Sequence, residues 1–221
     1  MDIISKAKEY VMKDMINNDP SHDWAHVVRV INLVETIARE EKYSGDMEIL
    51  LLSAILHDVG DWKYSGNENA ATNAIEAFLS SNSYPSEKID RICKIVDDVS
   101  FKNELGRPTD YIYSKESKIV QDADRLDAIG ATGVARTFAF GATKGSKFYG
   151  ENSFGREIVT EMKKEEYMGK KGEPTVDHFY DKLFRLKSMM KTETGKRMAE
   201  KRHQFMIDFI EQFNLEVRSI N

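Results

Sequence analysis

Apolar residues recur at intervals of three and four along most of this chain, and only four prolines among 221 residues are available to interrupt the helices that such spacing predicts. An all-α fold is therefore expected. The length suits one large domain better than two, since domains run roughly 100 to 200 residues. A first helix is predicted around Ile3 to Ile16, then a break at NNDPSHD with Asp19 or Ser21 as the cap of a long second helix. Trp24, Val27, Val28, Ile31, Val34, Ile37 and Ala38 form the buried stripe of that helix. Asp46 can cap a strongly apolar helix running to about Asp58, with Gly60 just past its end.

Further helices are expected from Asn67 to Leu79, from Pro85 and Ser86 onward with Ile89, Ile92, Cys93 and Val96 inward, and as one piece from about Lys115 to Phe140. The glycine-bearing loop GATKGSKFYG follows, then a charged region from Glu151 to Pro174. Two helices finish the chain, marked by Phe179, Leu183, Leu186 and Met190 and by Met198, Phe205, Phe209 and Phe213.

Composition narrows the function. With 37 acidic against 32 basic residues the net charge of −5 gives no general attraction for a nucleic acid polymer or a lipid surface. The apolar run Ile49 to Leu56 is far short of the roughly 18 residues that a membrane span needs, and the first ten residues lack the apolar core of a secretory signal. A cytoplasmic location is expected. Cys93 is the only cysteine, which removes intrachain disulfides, CxxC redox pairs and cysteine-rich zinc sites. Its expected place is a helix interior, as a small apolar side chain.

Histidine is scarce, five in all, yet His57 stands beside Asp58 at the end of the most apolar helix. A carboxylate near a buried helix end must find a partner, because an unpaired ion taken out of water is strongly disfavoured. A metal ion is one such partner. Further ligands have two sources, SHDWAHVVRV with His22 and His26, and QDADRLDAIGA with Asp122, Asp124 and Asp127. On a helical wheel Asp127 falls inside the apolar stripe, with Asp122 and Asp124 on its flanks, so geometry alone does not select among them. Asp122 can pair with Arg125 along the exposed side.

This ordered set resembles the HD-domain superfamily of metal-dependent phosphohydrolases, in particular its small bacterial hydrolases, on HVVRV, LHDVGD, DADRLDAIGA and HFYDKL. The resemblance implies a helical bundle spanning residues 1–221, with a motif core from about 20 to 133 and C-terminal helices over 175–215 packing on it. It places the ligands of one divalent ion at His26, His57, Asp58 and Asp124, and leaves Asp127 as a buried supporting carboxylate. Two imidazoles and two carboxylates suit manganese, iron, cobalt, nickel or zinc. Asp61 holds the position of a general acid or base in related hydrolases, some of which carry glutamate there, so the shorter side chain is expected to act through a water. The implied substrate is a nucleotide or another small phosphorylated metabolite, and the implied activity includes nucleoside triphosphate diphosphohydrolysis.

Such a substrate also needs positive charge. Lys63 is the first candidate to face it, followed by His178 and Lys182, with Arg29, Lys144 and Lys147 near the same helices and loops. His22 is a candidate for the pocket rim, unless Asp23 holds it as part of a cap. Two other readings stand beside this one. HDWAH spaces two histidines like a zinc-protease helix, but with aspartate in the place of its catalytic glutamate. A sensor that binds metal and nucleotide without turnover would carry the same ligands. No Walker A loop and no dinucleotide-binding glycine motif is present, and DADRLD fails as a calcium loop because Asp127 stands where glycine is required.

Overall fold

The computed structural model describes residues 1–60, 70–160 and 172–218, and among these there is no β-strand. The helices are α1 (Ile3–Asp14), α2 (Trp24–Glu40), α3 (Met47–Leu56), α4 (Ala70–Ser81), α5 (Ser86–Val99), α6 (Phe101–Leu105), α7 (Lys115–Asp127), α8 (Gly130–Thr143), α9 (Asp177–Asp181) and α10 (Glu193–Arg218). Short 3-10 turns occupy Glu151–Ser153 and Leu183–Met189. No described helix is long and apolar enough to cross a membrane.

The centre is α3. Ile49, Leu50, Leu52, Ala54, Ile55 and Leu56 are all fully buried, covering every side of the helix, so it can sit only where neighbours surround it. Those neighbours are α1, α2, α5 and α7. Each of these isoleucine and leucine side chains removed from water contributes about 1.5–3 kcal/mol. The one polar residue inside, Ser53, donates to the Ile49 carbonyl at 2.8 Å. Asp46 caps the helix by accepting from the amides of Glu48 and Ile49, and Gly60 closes the following turn at φ +64°.

Several expectations need correction. The cap of α2 is Asp23, which accepts from the His26 amide, whereas Asp19 accepts from Ser21 before the helix begins. Val28 is exposed and Val30 takes its place in the core. The last element but one is α9 followed by a 3-10 turn, although Phe179, Leu183, Leu186 and Met190 are buried as expected. On α10 the core positions are Ala199, Met206 and Ile210; Phe205 is exposed, while Phe209 and Phe213 pack on Phe138.

The most consequential correction is that the stretch from Lys115 to Phe140 is two helices. Gly130 adopts φ +75°, a conformation open to glycine, and a Cβ there would stand 2.9 Å from Cβ of Arg202. In a straight helix Asp127 and Arg136 would lie about 13.5 Å apart along the axis and on opposite faces. The break at Gly130 turns α8 back, and the two side chains meet.

Cys93 lies against the core on α5, and burial, with the charges of Glu76 and Asp90 adding to it, pushes its thiol up to about 11. The neutral thiol is thus the folded form across the neutral range, and its contribution to stability is lost only as pH rises beyond the ordinary thiol value. Cys93→Ala is expected to cost on the order of 1 kcal/mol, read from urea unfolding, and to leave the helical circular dichroism unchanged. Unchanged stability in the variant would show that the thiol packs nothing.

Candidate metal centre

Three helix ends converge at the site. Asp23 starts α2 so that His26 lies on its first inward turn, the end of α3 delivers His57 and Asp58, and the last turn of α7 delivers Asp124 and Asp127. His26 and His57 are buried, Asp58 and Asp124 partly so. The ligand atoms of His26, His57 and Asp58 all lie within 4.8 Å of one another. His26 Nε2 is 3.2 Å from His57 Nε2, 3.2 Å from Asp58 Oδ2 and 3.5 Å from Asp124 Oδ1. His57 Nε2 is 3.6 Å from Asp58 Oδ2 and 3.7 Å from Asp124 Oδ1. Donor atoms held at 2.0–2.2 Å from one ion stand roughly 3–3.5 Å apart, so this spacing fits a single shared cation.

The far side of each ring explains why Nε2 faces inward. His57 Nδ1 donates to the Ala54 carbonyl at 2.8 Å, since a carbonyl can only accept. His26 Nδ1 lies 2.7 Å from Asp127 Oδ2, and that carboxylate is ionised: burial opposes its charge, but bonds from His26 and Arg29 hold it down at about 2. Both outer nitrogens therefore carry hydrogen, which leaves the Nε2 lone pairs facing the cluster and able to ligate a cation.

Charge completes the fit. Burial opposes ionisation of His57, but Asp58 and then Asp124 prevail and lift it to about 9; burial likewise opposes ionisation of Asp58 and Asp124, yet the histidines hold both below the ordinary carboxylate range. The cluster demands positive charge. Two carboxylates with two neutral imidazoles carry two negative charges; one proton on His57 neutralises half, whereas a divalent cation neutralises both. Asp58 Oδ2 is buried and, among the described residues, has no hydrogen-bond partner, the state of a carboxylate oxygen placed for a cation.

Beside this cluster lies a cavity of about 610 Å³, with Asp58, Asp124, His22, Arg136, Phe140, Lys144, His178 and Lys182 in its lining. The four proposed ligands are thus brought together, and His178, Lys182 and Lys144 line the same cavity as Asp58 and Asp124. Arg29 is placed elsewhere: its Nε and Nη2 donate to Asp127 at 2.7 and 3.0 Å, which makes it a support of that carboxylate instead of the substrate contact expected for it. Lys147 is exposed and outside the cavity lining. Asp61 and Lys63 lie outside the described residues. Asp122 is not on an exposed side with Arg125; it is fully buried and accepts from the amides of Lys191 and Thr192 and from the Thr192 hydroxyl. HDWAH does not form a two-histidine helix face either, because His22 precedes the α2 cap and binds Ser21 Oγ at 2.7 Å. Sequence reasoning missed Arg136 and Phe140, for which Gly130, as a helix break, was the one available signal.

The helical fold and the family match define an HD-domain protein. The HD-domain family model matches residues 23–129, and the chain belongs to the HD-domain superfamily. Among relatives, YpgQ of Bacillus subtilis is 33% identical over 214 residues, covering 97% of this chain and 93% of its own. The crystal structure of YpgQ in complex with ADP has a TM-score of 0.71 to this fold at 30% identity, covering 99% of this chain and 100% of that one. A Lactobacillus plantarum protein reaches a TM-score of 0.83 at 30% identity, covering 98% and 97%. An HD-superfamily hydrolase of Bacillus thuringiensis reaches 0.68 at 32%, covering 97% and 96%.

Proposed function

We propose that this chain is a metal-dependent phosphohydrolase that cleaves a phosphoester or phosphoanhydride of a nucleotide, and within that class a nucleoside triphosphate diphosphohydrolase. The observation that carries the reading is the convergence of His26 Nε2, His57 Nε2, Asp58 Oδ2 and Asp124 Oδ1 at the wall of a cavity that also holds Lys144, His178 and Lys182. The ADP bound by YpgQ supports a nucleotide as the ligand class. A volume of about 610 Å³ is ample for one.

His26, His57, Asp58 and Asp124 would hold one divalent ion, which when bound lowers the pKa of water and polarises a phosphoryl oxygen. Asp127 and the Ala54 carbonyl fix the two imidazoles in the ligating tautomer. Lys144 and Lys182 supply positive charge that offsets the phosphates, His178 offers a ring nitrogen for hydrogen bonding, and Phe140 offers an apolar ring surface. Asp61 is the proposed proton-transfer group.

The test is a panel of nucleotides and phosphomonoesters with added Mn²⁺, in which phosphate and pyrophosphate are assayed separately. Nucleoside triphosphates are expected to release pyrophosphate. Release of phosphate alone would move the cleaved bond to a terminal position, and metal and nucleotide binding without any turnover would replace the enzyme by a sensor.

A further inference from the structure

Asp127 carries more donors than a carboxylate needs merely to hold His26. Its Oδ2 receives His26 Nδ1 at 2.7 Å, Arg29 Nη2 at 3.0 Å and Arg136 Nη1 at 2.9 Å, while Oδ1 receives Arg29 Nε at 2.7 Å. The two arginines differ in what else they touch. Arg29 shares α2 with His26 and does not line the cavity, so it reinforces a contact within the core. Arg136 comes from α8, lines the cavity, and through Nε donates to the Ser21 carbonyl at 2.6 Å; Ser21 Oγ in turn bonds His22, another cavity residue.

We infer that Arg136 is a positioning residue that joins the substrate cavity to the metal ligand His26: it clamps the carboxylate of Asp127, which orients the His26 ring, and ties that carboxylate to the Ser21–His22 wall. This rests on the metal reading above and adds a residue and a direction to it. The physical reason is geometric. An imidazole held by one hydrogen bond can still tilt with its acceptor, and a carboxylate can rotate about its own axis; donors arriving from two helices on the same oxygen remove that freedom. With the clamp in place, an anion that draws on Arg136 in the cavity also bears on the position of His26 Nε2.

The experiment measures Mn²⁺ binding by electron paramagnetic resonance on the full chain, with melting temperature alongside. The set is wild type, Asp127→Asn, Arg136→Met, Arg136→Lys and the Asp127→Asn, Arg136→Met double variant. Asp127→Asn is expected to weaken Mn²⁺ about 10- to 100-fold, and Arg136→Met on the order of tenfold, with Arg136→Lys recovering part of the loss. Because both act through one carboxylate, the double variant should bind little worse than Asp127→Asn alone. Wild-type affinity in Arg136→Met overturns the inference, as does a loss that adds in full to that of Asp127→Asn, or one that merely tracks falling melting temperature across the variants. If the wild type itself takes up no Mn²⁺, the metal reading fails first, and that outcome is separate from all of these.

Discussion

Asp58→Ala is expected to lose its metal and its turnover together while keeping its helical circular dichroism. Asp58 Oδ2 faces both imidazoles at 3.2 and 3.6 Å and, among the described residues, has no hydrogen-bond donor of its own. Its removal leaves no described donor to Oδ2 without a partner; what it removes is half of the negative charge that makes the cluster attractive to a divalent ion. Groups that only support a metal ligand already change affinity about 10- to 100-fold, so loss of a ligand should exceed about 100-fold. Metal content after exhaustive desalting, with initial rates at saturating Mn²⁺, provides the measurement. Equal metal content in wild type and variant would defeat the ligand assignment.

Asp122 and Asp124, two residues apart on α7, are expected to fail in opposite ways. Asp124 is partly exposed at the cavity wall, with Oδ1 3.5 and 3.7 Å from the two Nε2 atoms. Asp124→Ala should lose metal and activity with little change in melting. Asp122 is fully buried and binds the start of α10 through two amides and a hydroxyl. Its oxygen lies so close to Gly195 that a Cβ on that glycine would meet it at 2.3 Å. Asp122→Ala leaves those donors without partners in the interior, at about 1–3 kcal/mol each, so a total near 3 kcal/mol or more is expected in urea unfolding. Burial raises the Asp122 carboxyl in spite of its three donors, so Asp122→Asn should be much milder than Asp122→Ala. Folded Asp122→Ala that binds no Mn²⁺, beside an Asp124→Ala that does, would exchange the two roles.

How far each residue was legible follows from how local its cause is. Asp46 and Gly60 act within one turn of the backbone, and each stands where the spacing puts it. The apolar run of α3 has no polar side to turn outward, so its central burial follows from composition alone. Val28 and Phe205 fit a three-and-four pattern yet are exposed, because a stripe specifies a face and leaves open how far the neighbouring helix reaches. Arg29 looked available to substrate as one of several cations; its commitment to Asp127, 98 residues later, has no signature in either segment.

By itself, the amino-acid order determined that the protein is a helical bundle, since helix periodicity, caps and turn glycines are short-range properties of the chain. It also singled out His26, His57, Asp58 and Asp124 as an ordered set, through their resemblance to the HD family. Only the tertiary structure decided which nitrogen each histidine presents, that Asp122 is a buried anchor for α10, and that Arg136 reaches Asp127 across the break at Gly130. Those outcomes depend on which helix ends meet in space, and meeting is governed by the packing of the whole core around α3.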